Sequence, residues 1–357
     1  MRAGATARDA AMEAMLPRRK IGRTGLEVTV LGLGGAPLGD LYERIPDERA
    51  RATVEAAWRV GIRLFDTAPL YGCGLSEHRM GEVLRSKPRD AFVLSTKIGR
   101  ILEPADPSAI DRHGWAGGLD FRWRFDYSAE GAKRSIEDSL QRLGLSRIDI
   151  VFVHDLDLWW CPTPEIFEQR FREIVNGAWP VLADLRDRGV VRAIGLGVNA
   201  VAPCVRLARE ADPDVFLLAG RYTLLEQGGL EDLLPLAREK GFSLLLGGPF
   251  NSGILATGAV PGARYDYKPA PPEILARVRR IEAVCARHGV PLKAAAIQFP
   301  LGLDEVAAIV AGAVRPEEVE ENRRLIAHPI PAAFWQELRG EGLIAPDCPV
   351  PGAAPGA

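Results

Sequence analysis

The chain has 357 residues, with 45 Lys and Arg against 47 Asp and Glu, so its formal net charge is −2. This balance argues against a protein that binds nucleic acid or an anionic membrane, because such proteins concentrate basic residues. Hydrophobic residues make up 47% and charged residues 26%, which is the mix of an ordinary globular protein. The length allows either two domains or one large α/β barrel.

The two ends of the sequence differ in composition from the rest. Residues 1–17 are rich in Ala, and we expect a flexible leader there. Asp9 and Glu13 stand where a signal peptide needs an apolar run, which argues against a signal peptide. Residues 346–357 are rich in Pro, Gly and Ala, and we expect a flexible tail there. No apolar run reaches the roughly 18 residues of a membrane helix, and the cysteines show no C-x-x-C pair. These features predict a cytoplasmic protein without a membrane or nucleic acid as partner.

Residues 18–345 show one continuous pattern, with no linker that would divide them into domains. The pattern opens with Arg19–Val28, which predicts a β-hairpin with its turn at Arg23–Gly25. Eight short and almost continuously apolar runs follow, of the kind that a sheet buried on both faces requires. The predicted strands are Val28–Gly34, Arg63–Thr67, Phe92–Ile98, Ile148–His154, Ala193–Val198, Val215–Ala219, Phe242–Leu246 and Ala308–Ala313.

Amphipathic stretches alternate with these strands and predict helices. The predicted helices are Asp47–Val60, Ser128–Leu143, Glu165–Arg188, Leu230–Lys240, Glu273–His288 and Pro316–Ile326. Eight strands alternating with helices predict a TIM (β/α)8 barrel, with the N-terminal hairpin as its bottom cap and long loops at the C-terminal mouth. Gly195–Ala200 also matches the G-x-G-x-x-A pattern of a Rossmann domain, but a single match of this kind is a weak indication.

Chemically active side chains recur at the C-terminal ends of the predicted strands, where barrel enzymes place their catalytic groups. Asp66 ends the second strand, Lys97 the third and His154 the fourth, and Tyr71 follows Asp66 by five residues. Each has an ordinary structural explanation alone, but together at one mouth they can satisfy each other and transfer protons. We predict that Lys97 favours ionisation of Tyr71, that Asp66 holds Lys97, and that His154 binds the reacting oxygen.

Six motifs, FDTAPLYG, STKIG, VHD, GLGVN, GGPFNSGIL and VRPEEVEEN, occur in this order and resemble the aldo-keto reductase superfamily over residues 18–327. APLYGCGLSE, LAGRYTLLEQ and PFNSGIL are similar to its bacterial subgroup of D-threo-aldose 1-dehydrogenases (L-fucose dehydrogenases) and pyridoxal 4-dehydrogenases. The resemblance implies a barrel without a Rossmann domain and a nicotinamide cofactor across its mouth. It also implies Tyr71 as general acid/base, with Asp66, Lys97 and His154 as the other members of a catalytic tetrad.

The resemblance further implies where the cofactor binds. Asn199 would hold the nicotinamide carboxamide, and the loop Gly247–Leu255 would cover the pyrophosphate with its backbone amides. Glu318 stands where the family usually has Gln or Arg, and its carboxylate beside Arg315 would repel a 2′-phosphate, so we predict NAD in preference to NADP. The predicted cofactor-binding residues are Asn199, Arg221, Gly248, Pro249, Phe250, Asn251, Ser252, Gly253, Leu255, Gly312, Arg315, Glu318, Glu321 and Asn322.

Two long loops rich in tryptophan follow the third and fourth predicted strands. Long loops at a barrel mouth are usually functional, and aromatic rings stack on sugar or pyridine rings. We therefore predict that Trp123, Asp155 and Trp159 bind the substrate, and we expect no metal site. The favoured activity is NAD(P)-dependent oxidation of an aldose such as L-fucose at C1. A pyridoxal 4-dehydrogenase or a general aldehyde reductase is the alternative.

Other classes of function stay open at this point. Lys97 could form the Schiff base of an aldolase, although pairing with Asp66 would keep it protonated. His154, Asp155 and Asp157 could bind the metal of a hydrolase, but the sequence has no H-x-H pair. A cofactor-binding protein without turnover is a third possibility. In each case we expect a small-molecule ligand and a monomer or small homo-oligomer.

Overall fold

The structure is a computed structural model, and it describes residues 15–157 and 159–352. Most of the predicted leader lies outside these residues. Leu16, in its last described part, is buried. At the other end, Cys348 and Val350 are buried and the backbone at Pro349 packs beside Gly302, so the described part of the expected flexible tail is packed on the barrel.

The described residues contain fourteen strands, eight of which close a parallel barrel. The barrel strands pair in the order β3, β4, β5, β8, β9, β10, β11 and β14, and β14 pairs with β3. The eight predicted strands correspond to these eight, so the TIM barrel is confirmed. The strands are β1 (Arg18–Ile21), β2 (Leu26–Thr29), β3 (Leu31–Gly34), β4 (Leu64–Asp66), β5 (Val93–Ile98), β6 (Arg100–Pro104), β7 (Phe121–Phe125), β8 (Ile150–His154), β9 (Ala193–Val198), β10 (Val215–Ala219), β11 (Ser243–Gly247), β12 (Arg264–Tyr265), β13 (Lys268–Pro269) and β14 (Val306–Gly312).

Helices surround the barrel, and apolar side chains fill the space between the two layers. The described helices are α1 (Asp47–Arg59), α2 (Leu75–Leu84), α3 (Ala129–Leu143), α4 (Pro164–Glu173), α5 (Trp179–Asp187), α6 (Val201–Glu210), α7 (Leu233–Lys240), α8 (Ile254–Thr257), α9 (Pro272–His288), α10 (Leu292–Gln298), α11 (Pro316–Leu325) and α12 (Ala332–Gly340). Among them α2, α6, α8, α10 and α12 have no counterpart in the sequence predictions. None of the helices in the described part of the chain has the length and apolar character needed to cross a bilayer.

The helix predicted over Glu165–Arg188 is interrupted. A π-helical turn at Ile174–Ala178 separates α4 from α5. Here the Ala178 amide donates to the carbonyl of Tyr127, 3.0 Å away, and Pro180 has no amide hydrogen to continue the ladder. The prediction of one continuous helix is therefore wrong, because a tertiary hydrogen bond competes with the helical one.

Three antiparallel hairpins lie outside the barrel sheet. The predicted hairpin is present as β1 and β2, and Arg19 fixes it by donating to the carbonyls of Leu301, Leu303 and Val306. The segment after β5 was expected to lack regular structure, but β6 and β7 pair there over five residues. The third hairpin, β12 and β13, turns through Asp266 and Tyr267, which both have positive φ. The last two hairpins stand at the C-terminal mouth.

The glycines of the G-x-G match serve barrel packing. A Cβ on Gly195 of β9 would lie 1.6 Å from the carbonyl oxygen of Val215 on the next strand. A Cβ on Gly197 would lie 3.2 Å from Cε of Lys97, which crosses the barrel interior at that level. The two glycines thus allow close approach of a strand and of the Lys97 side chain, and the alternative Rossmann fold is wrong.

Replacement of Gly195 by Ala is expected to lower the free energy of unfolding by about 3 kcal/mol or more, because the barrel cannot yield at a backbone carbonyl. Chemical denaturation followed by circular dichroism measures this change. Gly228→Ala is the matched control, since its Cβ would meet nothing within 4 Å. Equal stability of the two variants would contradict the close packing of β9 against β10.

Candidate active site

A buried ion pair forms the floor of the barrel mouth. Lys97 Nζ lies 2.8 Å from Asp66 Oδ2 and also donates to the carbonyl of Thr67 at 2.8 Å. Ser95 donates to the other carboxylate oxygen at 2.7 Å. Both charged side chains are almost fully buried. Burial lowers the pKa of Lys97 and raises that of Asp66, and their mutual contact opposes both shifts.

Tyr71 stands directly above this pair. Its ring centroid is 4.5 Å from Lys97 Nζ and 5.7 Å from the His154 ring. Burial raises the pKa of Tyr71 well above its ordinary value, with Asp66 and Asp155 adding to the rise. The phenol is therefore protonated at neutral pH. The expectation that Lys97 favours the phenolate is outweighed here by burial.

His154 ends β8 and is also buried. The Tyr127 hydroxyl donates to its backbone carbonyl at 2.7 Å, which fixes the end of the strand. Burial, followed by the charges of Arg100 and Lys97, lowers the pKa of His154 well below its ordinary value. A neutral imidazole beside a protonated phenol can present two hydrogen-bond donors to one oxygen atom.

A second charged pair lies beside this group. Asp155 Oδ2 is 2.8 Å from Nη2 of Arg100, and both side chains are buried. Burial raises the pKa of Asp155 to about 6, with Arg100 opposing the rise. Asn199 donates to Asp157 Oδ2 at 3.1 Å and lies 3.4 Å from Asp155 Oδ1. Sequence reasoning missed Arg100, although a basic residue next to the end of a barrel strand was a signal for it.

One cavity of 440 Å³ opens at this mouth. Six of the predicted site residues line it, and Asp66 lies beneath it in contact with Lys97. The six are Tyr71, Lys97, His154, Asp155, Trp159 and Asn199. Trp123 does not line this cavity. It packs behind the wall, edge-on to Trp160 at 5.2 Å. Lining residues that the sequence did not single out for binding include Tyr42, His113, Trp115, Trp160, Arg264 and Tyr267.

The loop after β11 has the conformation needed to approach a dinucleotide closely. Gly248, Asn251, Ser252 and Gly253 all have positive φ, and a Cβ on Gly253 would meet nothing within 4 Å. Asn251 accepts a hydrogen bond from Thr223 at 2.6 Å, which ties the loop to the segment after β10. Of the other predicted loop residues, Phe250 is half-buried, and Pro249 and Leu255 are buried, with the Leu255 amide donating to the Phe250 carbonyl at 3.1 Å.

Arg221 connects the two sides of the mouth. Its Nε donates to the Asn199 carbonyl at 2.6 Å, and its Nη2 lies 2.8 Å from Asp266 in the hairpin of β12 and β13. Tyr267 in the same hairpin donates its amide to Ser252 at 2.9 Å. The predicted cofactor loop and the wall of the substrate cavity are thus joined by hydrogen bonds.

The residues predicted to bind the adenosine end of the cofactor lie at the start of α11. Glu318 accepts from the Val314 amide at 2.8 Å and lies 3.1 Å from Nε of Arg315. Glu321 pairs with Lys293 at 2.6 Å, while Asn322 is buried. Together with the open loop and the cavity beside Asn199, these residues fit a nicotinamide dinucleotide. Gly312 ends β14 at the mouth, where a Cβ would be 2.7 Å from Pro37.

The described residues contain no group of three His, Cys, Asp or Glu side chains arranged to hold a metal ion. The site instead combines a buried Lys–Asp pair, a protonated phenol and a neutral imidazole at the open end of a barrel. These features define an enzyme that exchanges a proton at a carbonyl or hydroxyl oxygen.

Comparison with known proteins identifies the class more narrowly. The model of the Aldo/keto reductase family matches residues 30–340, and the chain belongs to that family. A pyridoxal 4-dehydrogenase of Microbacterium luteolum is 44% identical, covering 92% of this chain and 98% of the relative. A D-threo-aldose 1-dehydrogenase of a Pseudomonas species is 42% identical, covering 90% and 96%. The chain is therefore an NAD(P)-dependent oxidoreductase, and the predicted superfamily and subgroup resemblance are confirmed.

The fold is likewise shared with solved structures. A holo-form aldo-keto reductase of Bacillus halodurans superimposes with a TM-score of 0.71 at 24% identity, covering 91% of this chain and 96% of that one. At this identity the likeness concerns the fold alone.

Replacement of Asp66 by Asn is expected to shift the alkaline limb of the kcat profile about one to three pH units lower. Without its counterion, Lys97 loses its proton at a lower pH because burial already disfavours the ammonium. Steady-state rates across pH measure the shift. Ser95→Ala removes only a hydrogen bond to Asp66 and should shift the limb less; an unshifted limb in Asp66→Asn would contradict the ion-pair role.

Proposed function

We propose that the protein oxidises an aldose in its ring form at C1 to the lactone, with NAD as hydride acceptor. The observation that carries this proposal is the convergence of Tyr71, Lys97 and His154 on one cavity that also holds the Asp155 carboxylate. A sugar offers several hydroxyl groups for such polar side chains, and its apolar face suits an aromatic wall. Relatives at 42% and 30% identity are named D-threo-aldose and L-galactose dehydrogenases, which supports a sugar substrate.

The roles of the residues follow from their placement. The bound nicotinamide supplies the acceptor or donor of the hydride. In the oxidation Tyr71 first releases its phenol proton to solvent, and the phenolate then takes the proton of the reacting hydroxyl while His154 donates a hydrogen bond to that oxygen. Lys97 stabilises the phenolate while it exists, and Asp66 keeps Lys97 charged. In the reverse direction the protonated phenol is already poised to donate to a carbonyl.

Pyridoxal is the second candidate substrate, and one feature of the cavity favours it. The Trp115 ring stacks on Tyr71 with centroids 5.9 Å apart and planes inclined by 29°. This flat wall beside the proton donor suits a planar pyridine ring. The pyridoxal 4-dehydrogenase relative supports the same reading.

A direct screen separates the two substrates. L-fucose, D-arabinose, L-galactose and pyridoxal are offered with NAD and with NADP, and reduced nicotinamide is followed by its absorbance. The aldose proposal expects the sugars to give the higher kcat/KM. A value at least tenfold higher for pyridoxal would transfer the assignment to the second candidate.

Replacement of Tyr71 by Phe is expected to lower kcat by about two to four orders of magnitude, because the hydroxyl that exchanges the proton is lost. Binding of NAD, measured by quenching of tryptophan fluorescence, should be unchanged. The variant Tyr42→Phe alters another hydroxyl at the same cavity and serves as the control. Near wild-type turnover in Tyr71→Phe would remove the assignment of Tyr71.

The preference for NAD is supported by the contact between Glu318 and Arg315. A 2′-phosphate near this contact would face a carboxylate and an arginine that is already paired. Glu318→Gln is expected to lower the KM for NADP about five- to tenfold by releasing Arg315. Glu320→Gln, which breaks a pair with Arg59 on the outer surface of α11, is the control. An unchanged ratio of NAD to NADP efficiency would contradict the role of Glu318.

A further inference from the structure

Arg100 is a buried cation next to Tyr71, Lys97 and His154. The function proposed for these residues gives Arg100 no role. Arg100 begins β6, directly after the end of β5, and its side chain is about 1% exposed. Its Nη2 lies 2.8 Å from Asp155 Oδ2, while Nε and Nη1 have no hydrogen-bond partner among the described residues. A buried guanidinium with only one of its nitrogens in contact with a carboxylate needs another source of stabilisation.

Aromatic rings supply that stabilisation. The guanidinium carbon lies 4.8, 4.6 and 4.8 Å from the ring centroids of Trp123, Phe125 and Trp160. Each distance is within the range of a cation–π contact, which is stronger when water is excluded. Trp123 and Phe125 belong to β7, the strand that pairs with β6. The hairpin therefore provides both the arginine and most of its aromatic cage.

The cage holds Arg100 against the carboxylate that adjoins the catalytic histidine. Asp155 has φ of 54°, a left-handed backbone that turns the chain directly after β8. Its Oδ1 lies 3.6 Å from Nε2 of His154 and its Oδ2 contacts Arg100. One carboxylate thus lies between an imidazole and a permanent cation.

We propose that Arg100 is a positioning residue that acts through Asp155 and keeps His154 a neutral hydrogen-bond donor toward the reacting oxygen. This inference rests on the proposed role of His154. An imidazole beside an unpaired carboxylate readily takes up a proton to form an ion pair. Because Arg100 already neutralises the Asp155 carboxylate, protonation of His154 would gain little electrostatic stabilisation from Asp155.

Other charged or titratable groups surround the two residues, and the direction of the shift in His154 agrees with the proposal. Burial, Arg100 and Lys97 all lower the pKa of His154. The groups that face His154 or Asp155 from neighbouring elements are Tyr71, Lys97, Arg100, Tyr127, Asp157, Cys161 and Tyr267. Behind them, Asp66 contacts Lys97 and Arg170 contacts Cys161. Among them, Arg100 is the one that forms an ion pair with Asp155.

The test measures protonation of His154 directly. The ¹⁵N shifts of its imidazole, assigned with His154→Gln, are followed from the lowest pH at which the full chain stays folded up to pH 9. In Arg100→Gln the His154–Asp155 pair should take up a proton at least about one pH unit higher than in the wild type. Arg100→Lys keeps the charge and should move the titration less than Arg100→Gln. Equal titration of His154 in Arg100→Gln and the wild type would overturn the proposal.

Arg170→Gln is the matched control. Arg170 stacks on the same Phe125 ring at 3.8 Å and donates to the Trp160 carbonyl, but it has no ion pair with Asp155. The His154 titration should stay as in the wild type in this variant. A shift as large as that of Arg100→Gln would assign the effect to disturbance of the cage and overturn the charge mechanism.

If Arg100→Gln fails to fold, Asp155→Asn is tested instead, and its expected shift in the pH of His154 protonation has the opposite direction. With the carboxylate removed, the charge of Arg100 is unmasked and protonation of His154 should require a lower pH than in the wild type. A higher titration pH would contradict the proposal. Because the readout is a chemical shift, it is independent of the substrate. Failure of every substrate in the screen would reject the proposed function and leave this result standing.

Discussion

The contact between Lys97 and Asp66 is the interaction on which the site depends. Removing two charges from water costs several kcal/mol for each ion. This cost is recovered only where the two charges are in close contact and their remaining hydrogen-bonding atoms have partners. The Thr67 carbonyl and the Ser95 hydroxyl complete that geometry. Gly197 on the facing strand leaves room for the lysine stem. A glycine of the barrel wall is therefore as much part of the site as the ion pair.

The buried surroundings also determine the protonation of Tyr71 and His154. Burial raises the pKa of Tyr71, with Asp66 and Asp155 adding to the rise, so the phenol keeps its proton at neutral pH. His154 is instead next to Asp155, whose charge is balanced by Arg100. The same low-dielectric surroundings thus leave one donor a phenol and the other a neutral imidazole. Both are neutral, and both can donate to a single oxygen atom.

The sequence allowed prediction of the barrel and of the polar residues that line its mouth, since both follow from where apolar runs end. Asp66, Lys97 and His154 could be found because parallel strands bring their carboxyl ends together. The break near Ile174 could not be found this way, since it depends on a tertiary hydrogen bond to Tyr127. Local patterns record strand ends well and contacts between distant segments poorly.

The segment after β5 shows the same limit at the site itself. In FRWRF the aromatic side chains alternate with arginine, and this spacing of two places Trp123 and Phe125 on one face of a strand. The alternation alone does not identify the strand with which this segment pairs, and the sequence therefore predicts a loop here. Once the hairpin forms, that face meets Arg100 and the ring of Trp160 from the loop after β8. Trp123 therefore lies behind the cavity wall, where its ring packs on the Arg100 guanidinium and edge-on to Trp160 and does not line the cavity.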